Sequence, residues 1–200
     1  VLETLSRWDT ALFYWINQGQ SNPVSDVVMV FVTDDGNWRI PFVLLFLGLM
    51  IFGGRRGRIA ALLCIPLITI SDQTSSNFLK HAFERIRPCN VLDNVNLLVG
   101  CSDSFSMPSS HAANSGAAAF HFSFFYRRGA PIFVFLAFLV AYTRPYVGVH
   151  YPFDCLVGLL VGLFAALAVQ GLWRGGTLFW QRLQQRRPRN ATTGSATTGT

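Results

Sequence analysis

Charge is what this sequence has least of. Asp, Glu, Lys and Arg make up 13% of its 200 residues and hydrophobic residues 51%, against ~25% charged in an ordinary soluble domain. That shortage excludes a water-solvated surface over most of the chain and points to lipid as the solvent. Lysine is nearly missing: Lys80 is the only one among 16 basic residues. The net charge of +6 therefore rests on arginine. Because the arginines sit in short clusters between apolar segments, with no basic stripe among stacking aromatics, the pattern excludes nucleic acid as a partner. The four cysteines, Cys64, Cys89, Cys101 and Cys155, include no CxxC pair and no metal-ligand spacing, which argues against a zinc site. Segment 1–17 has no basic region ahead of a small-residue cleavage site, so insertion is expected to use internal segments.

What is present is a series of apolar runs, at 23–32, 40–52, 59–70, 112–126, 130–149 and 153–173, each bounded by charge, Gly or Pro. A chain this long is sized for one compact domain. We expect an all-α bundle of six transmembrane helices. Only the last two runs reach the ~20 residues that cross a bilayer unaided, so the others must extend through polar neighbours facing the bundle interior. Ahead of them, Leu2, Leu5, Trp8, Leu12 and Trp15 recur at helical spacing with Arg7 and Asp9 between, which suits a helix lying in the membrane interface or one facing a core. The expected division is an interfacial N-terminal helix at 1–22, a transmembrane domain at 23–175, and a basic, then disordered, cytoplasmic tail at 176–200, whose Asn190-Ala191-Thr192 sequon should be silent.

If the spans alternate, Arg55, Arg56 and Arg58, then Arg127 and Arg128, then Arg174, Arg182, Arg186, Arg187 and Arg189 all fall on one side. The bias of short basic loops makes that side cytoplasmic, which puts the segments around 80–108 and 144–152 outside.

The remaining polar outliers gather on that outer face in three places. Lys80 to Pro88 (KHAFERIRP) carries two cations, Lys80 and Arg87, that could clamp a phosphate or simply snorkel at the interface. Ser106 to His111 (SMPSSH) opens a small-residue helix, whose free N–H groups form an anion site, with Ser109 and Ser110 at the cap and His111 beside it. Arg144, His150 and Asp154 stand in an otherwise apolar stretch, where charge usually serves function. A helix starting at Pro152 would let Asp154 reach back to one nitrogen of His150 and leave the other free to attack. A phosphoryl-transfer centre needs a nucleophile, a proton donor and preorganised positive charge, and these segments supply each once.

In order and spacing, Lys80-x6-Arg87-Pro88, Pro108-Ser109-Ser110-His111 and Arg144-x5-His150-x3-Asp154 resemble the signature of the type 2 phosphatidic acid phosphatase superfamily. The resemblance implies that His150 forms a phosphohistidine, Asp154 orients and activates it, and His111 protonates the leaving alcohol. It further implies that Lys80, Arg87, Ser109, Ser110 and Arg144 bind phosphate, and it implies no metal or organic cofactor. Ser110 stands where the family usually has Gly, and Thr143 where it usually has Ser. The expected substrate is a lipid phosphomonoester or diphosphate: phosphatidic acid, phosphatidylglycerol phosphate, undecaprenyl diphosphate or a phosphorylated lipid A. Motifs that recognise phosphate do not choose among these. The expected location is a bacterial inner membrane, with the site facing the periplasm. An anion transporter or channel using the same cations is the alternative. His81, Arg85 and His121 read as structural, the polar run Ser71 to Asn77 as helix packing, and a Cys89–Cys101 disulfide stays open.

Overall fold

The structure, a computed structural model, describes residues 2–186; the expectations for 190–200 lie outside them. No strand occurs among the described residues. In order come α1 (Leu2–Asn17), α2 (Pro23–Thr33), α3 (Asp35–Phe52), α4 (Gly54–Gln73), a π-helical stretch (Thr74–Leu79), α5 (Lys80–Phe83) and α6 (Pro88–Val91). There follow α7 (Ser110–Phe125), a 3-10 turn (Arg127–Gly129), α8 (Ala130–Tyr146) and α9 (Pro152–Arg186).

Local chemistry sets the starts of these helices. Asn22 caps α2 by accepting from the Ser25 N–H, with Pro23 next in line. Asp34 caps α3 through the Gly36 N–H. Ser109 caps α7, accepting from the Ala112 N–H. At α9, Pro152 opens the helix and the Asp154 carboxylate reaches back to the Tyr151 N–H at 2.8 Å, as a third-position side chain does in a capping box.

Among the described residues four stretches are long and apolar enough to cross a membrane: Asp35–Phe52, Gly54–Val91, Arg127–Tyr146 and Pro152–Gln185. The six-span expectation thus meets four by length and composition. The other two runs became α2, with 11 residues, and α7, with 16; both fall short of the ~20 that span a hydrocarbon core. α7 is built from small residues because protein surrounds it. It packs against α4, α8 and α9, burying Ala112, Ala113, Gly116 and Ala117. A Cβ on Gly158 would collide with the Ser109 carbonyl, and one on Gly162 with the Ala113 carbonyl, so only glycine lets the two backbones approach this closely. By contrast α3 buries no residue, and Phe42, Leu44 and Phe52 point outward, an apolar face suited to lipid.

In α1 the Leu5, Trp8, Leu12 and Trp15 stripe is exposed, whereas Asp9, Phe13, Ile16 and Asn17 are buried. The arginine clusters meet at one end of the bundle. The Arg56 guanidinium lies 4.9 Å from the Tyr126 ring centre and that of Arg174 lies 5.8 Å from the Phe124 ring centre, while Arg55 lines a cavity with Trp173 and Trp180. α9 runs unbroken past residue 175 to Arg186.

Candidate active site

At the opposite end of the bundle, Lys80, Arg87, Ser109, Arg144, His150 and Asp154 are all buried. His150 is carried by the turn between α8 and α9. The turn is fixed by the Val149 N–H on the Arg144 carbonyl at 3.2 Å and by Gly148, whose φ of +90° is open to glycine and whose missing Cβ makes room for Val95 and the Asn96 carbonyl. From α1, Asn17 braces the same turn, donating to the Tyr146 carbonyl at 2.8 Å.

His150 has a different neighbour on each ring nitrogen. Nε2 accepts from Arg87 Nη1 at 3.1 Å, which leaves the ring proton to Nδ1 in the neutral tautomer. Nδ1 faces Asp154 Oδ2 at 3.6 Å, too far for a hydrogen bond, and has no other partner. The spacing expected from sequence therefore brings the pair together without closing it. Both carboxylate oxygens are already engaged, Oδ2 by the Tyr151 N–H and Oδ1 by Arg85 Nη1 at 2.8 Å. Burial holds the His150 imidazole well below its ordinary pKa; Asp154 opposes this, and Arg87 and Arg144 add to it. A neutral ring is the nucleophilic form once its lone pair, here covered by Arg87, is released.

The cations are held by different means. Arg87 spreads its fork over the Ser104 carbonyl and hydroxyl, at 2.8 and 2.9 Å, and the Val149 carbonyl at 3.0 Å. Ser104 lies just beyond the loop closed by a Cys89–Cys101 disulfide, which the structure forms. Arg144 donates to the Thr33 hydroxyl at the end of α2, and its buried Nε has no partner. Lys80, directly after the π-helical stretch, lies within electrostatic reach of Arg87, Arg144, Asp72 and Asp154.

Ser109 ties α7 to α9, its N–H donating to the Asp154 carbonyl at 3.0 Å. Ser110 Oγ shares a 2.8 Å hydrogen bond with Ser76. His111 stands at the rim, Nε2 lying 3.4 Å from Asp35 Oδ2 at the start of α3. The polar run packs as expected: Asp72 accepts from Ser76 Oγ and from Asn114 Nδ2 of α7. His121 bridges the Ala60 carbonyl and Gln170, and His81 faces the Asn77 carbonyl. Among the described residues no three His, Cys, Asp or Glu side chains group as a metal site.

Sequence reasoning missed Asp9, Thr33, Asp35 and Ser104. For Asp9 a signal existed, since it shares a helical face with Phe13 and Ile16, the buried side of α1. Thr33 and Ser104 have no local pattern and act only through the fold.

A helical bundle with apolar flanks, its buried charge confined to one end and a neutral imidazole set between a guanidinium and a carboxylate, defines a membrane protein with a buried, cation-rich site at one end. The family model of the PAP2 superfamily matches residues 61–175. A lipid A 4'-phosphatase of Bacteroides thetaiotaomicron is 34% identical over 189 residues, 90% of this chain and 79% of that protein. The crystal structure of Aquifex aeolicus LpxE superposes with a TM-score of 0.66 at 29% identity, covering 81% of this chain and 94% of that one. That of a transmembrane PAP2-type phosphatidylglycerolphosphate phosphatase from Bacillus subtilis gives 0.68 at 25% identity, covering 86% and 87%. The chain belongs to the PAP2 superfamily, as its motifs had suggested. It is an integral membrane protein and a phosphoric ester hydrolase.

Proposed function

We propose that this protein removes phosphate from a membrane lipid through a phosphohistidine on His150, at the outer face of a bacterial inner membrane. The observation that carries this reading is the pairing of His150 with Arg87 on Nε2 and Asp154 near Nδ1.

In the proposed cycle the phosphate oxygens take over the N–H groups of Arg87, Arg144 and Lys80, together with Ser109, Ser110 and the free N–H groups opening α7. The lone pair of His150 Nε2 attacks phosphorus. The bond to the leaving oxygen breaks, and His111 gives that oxygen its proton. The positive charge that develops on the ring draws Asp154 to Nδ1–H. A water then gives its proton to His111 and attacks phosphorus, the P–N bond breaks, and phosphate and neutral His150 are regenerated. The cycle needs no metal.

In the proposed topology α7 completes a crossing inside the bundle. α2, largely exposed and tied to α8 through Asp26 on Tyr146 and Thr33 on Thr143, stays at the active-site end, so the sixth span of the sequence expectation is not kept. α1 lies in the interface, where its exposed Trp8 and Trp15 suit the headgroup level. The domain division is 1–22, 23–175 and 176–200, with the arginine end cytoplasmic. Among lipid phosphates, the 34% identity to a lipid A 4'-phosphatase supports a phosphorylated glycolipid as the first substrate to try.

The test is phosphate release in detergent, with chelator present, from lipid A, phosphatidic acid, phosphatidylglycerol phosphate and undecaprenyl diphosphate, comparing wild type with His150→Ala. Release from at least one lipid that the variant lacks is expected. A folded wild type that releases phosphate only when metal is added, or that His150→Ala leaves unimpaired, overturns the reading.

A further inference from the structure

Arg85 lies two residues before Arg87, outside the positions that carry the motif, yet it makes more ionic contact than any other side chain at this end of the bundle. Its backbone is fixed by the preceding Glu84, in left-handed conformation, and by the Ser106 N–H, which donates to its carbonyl at 2.7 Å. Its guanidinium sits between two fully buried carboxylates. Nη1 donates to Asp154 Oδ1 at 2.8 Å. Nη2 lies 2.7 Å from Asp9 Oδ2 as an ion pair without hydrogen-bond alignment. The guanidinium carbon stands 3.8 Å from the Tyr151 ring centre, so the cation is also covered by an aromatic face. The second carboxylate is anchored in its turn, since Asp9 Oδ1 accepts from the Phe153 N–H in the first turn of α9 at 2.9 Å.

The result is a chain of contacts from α1 to the imidazole: Asp9, Arg85, Asp154, His150. Two carboxylates buried side by side repel unless a cation lies between them, and an unpaired buried charge is strongly unfavourable. Arg85 neutralises both and takes up Asp154 Oδ1, which leaves Oδ2, held by the Tyr151 N–H, as the atom facing His150 Nδ1. Nothing places Arg85 on the phosphate side of the ring, where Arg87 sits.

We infer that Arg85, clamped by Asp9, is a positioning residue that fixes the Asp154 carboxylate for His150, and that α1 is thereby a working part of the active site. This rests on the reading of His150 as nucleophile. A residue of this kind acts when charge develops on the ring, so its loss lowers kcat and leaves substrate binding nearly untouched.

The experiment compares wild type, Arg85→Gln, Arg85→Lys, Asp9→Asn, the Asp9→Asn/Arg85→Gln double variant and His150→Ala, purified in detergent as monodisperse protein. It reads kcat and KM on whichever lipid phosphate the wild type hydrolyses best, with thermal unfolding measured alongside. Arg85→Gln is expected to lose about tenfold or more in kcat, with KM nearly unchanged, as for an interaction made only in the transition state. Arg85→Lys keeps the charge without the fork and recovers part of kcat. Asp9→Asn loses less than Arg85→Gln, and the double variant matches Arg85→Gln, because Asp9 acts through Arg85. A KM that rises while kcat holds overturns the inference and makes Arg85 a substrate ligand. So does a kcat in Arg85→Gln, or in Arg85→Lys and Asp9→Asn should the glutamine variant not fold, equal to that of wild type. His150→Ala with wild-type kcat would instead overturn the nucleophile assignment itself.

Discussion

Arg87 donates to His150 Nε2 at 3.1 Å through the same nitrogen that holds the Val149 carbonyl. One guanidinium thus both builds the turn that carries the imidazole and covers the lone pair proposed to attack phosphorus. A phosphate arriving between them would exchange one acceptor for another on a donor already in position. Lysine offers a point charge without the fork. Arg87→Lys is therefore expected to lower kcat/KM by at least ~10-fold, about 1.4 kcal/mol of transition-state stabilisation, which steady-state assays of the purified variant would read.

Burial holds the His150 imidazole below its ordinary pKa of 6.5. The neutral ring should then persist as pH falls through that value, since a depressed pKa moves protonation to lower pH. Nitrogen chemical shifts of labelled His150, assigned by their absence in His150→Ala, check this. Neutral-ring shifts are expected at pH 6 and below, and half-protonation near 6.5 would contradict it.

The Cys89–Cys101 bridge closes the loop that precedes Ser104, and Ser104 supplies two of the acceptors on Arg87. Replacing both cysteines with serine should lower stability by up to about 3 kcal/mol, the chain-entropy figure for a loop of this size, and raise KM as Arg87 loosens. Thermal unfolding and KM in detergent measure the two effects separately.

Sequence made the buried cluster legible because charge is costly in lipid, and Arg144, His150 and Asp154 stand in an otherwise apolar stretch. It also placed the arginines at one end through alternation alone. What it missed is held by contacts far apart in the chain. Asp9 meets the Phe153 N–H across 144 positions, and Thr33 meets Arg144 across 111. Hydropathy likewise showed α7 as an apolar run without showing that its alanines face protein on several sides. Arg85 read as structural because its two acidic partners, Asp9 and Asp154, lie 145 positions apart in the chain and meet it only through the fold.

Close packing of α7 on α9 sets the register between Ser109 and Asp154. A Cβ on Gly162 would meet the Ala113 carbonyl and the Ala117 N–H group, whereas one on Gly175 meets nothing. Gly162→Ala should destabilise by about 1–3 kcal/mol, as overpacking does, and reduce activity. Gly175→Ala should leave both unchanged or gain slightly in stability. Unfolding midpoints and specific activities of the two variants provide the comparison.

The central claim is that phosphate passes through His150. Rapid quenching of the enzyme with a substrate carrying labelled phosphate, under alkaline conditions that preserve phosphohistidine, followed by peptide mapping, tests it directly. The expected result is label on the peptide containing His150, absent in His150→Ala and increased in His111→Ala if the second step is slowed more than the first. Turnover in the wild type with no label on His150 at any quench time, and activity surviving in His150→Ala, would contradict it.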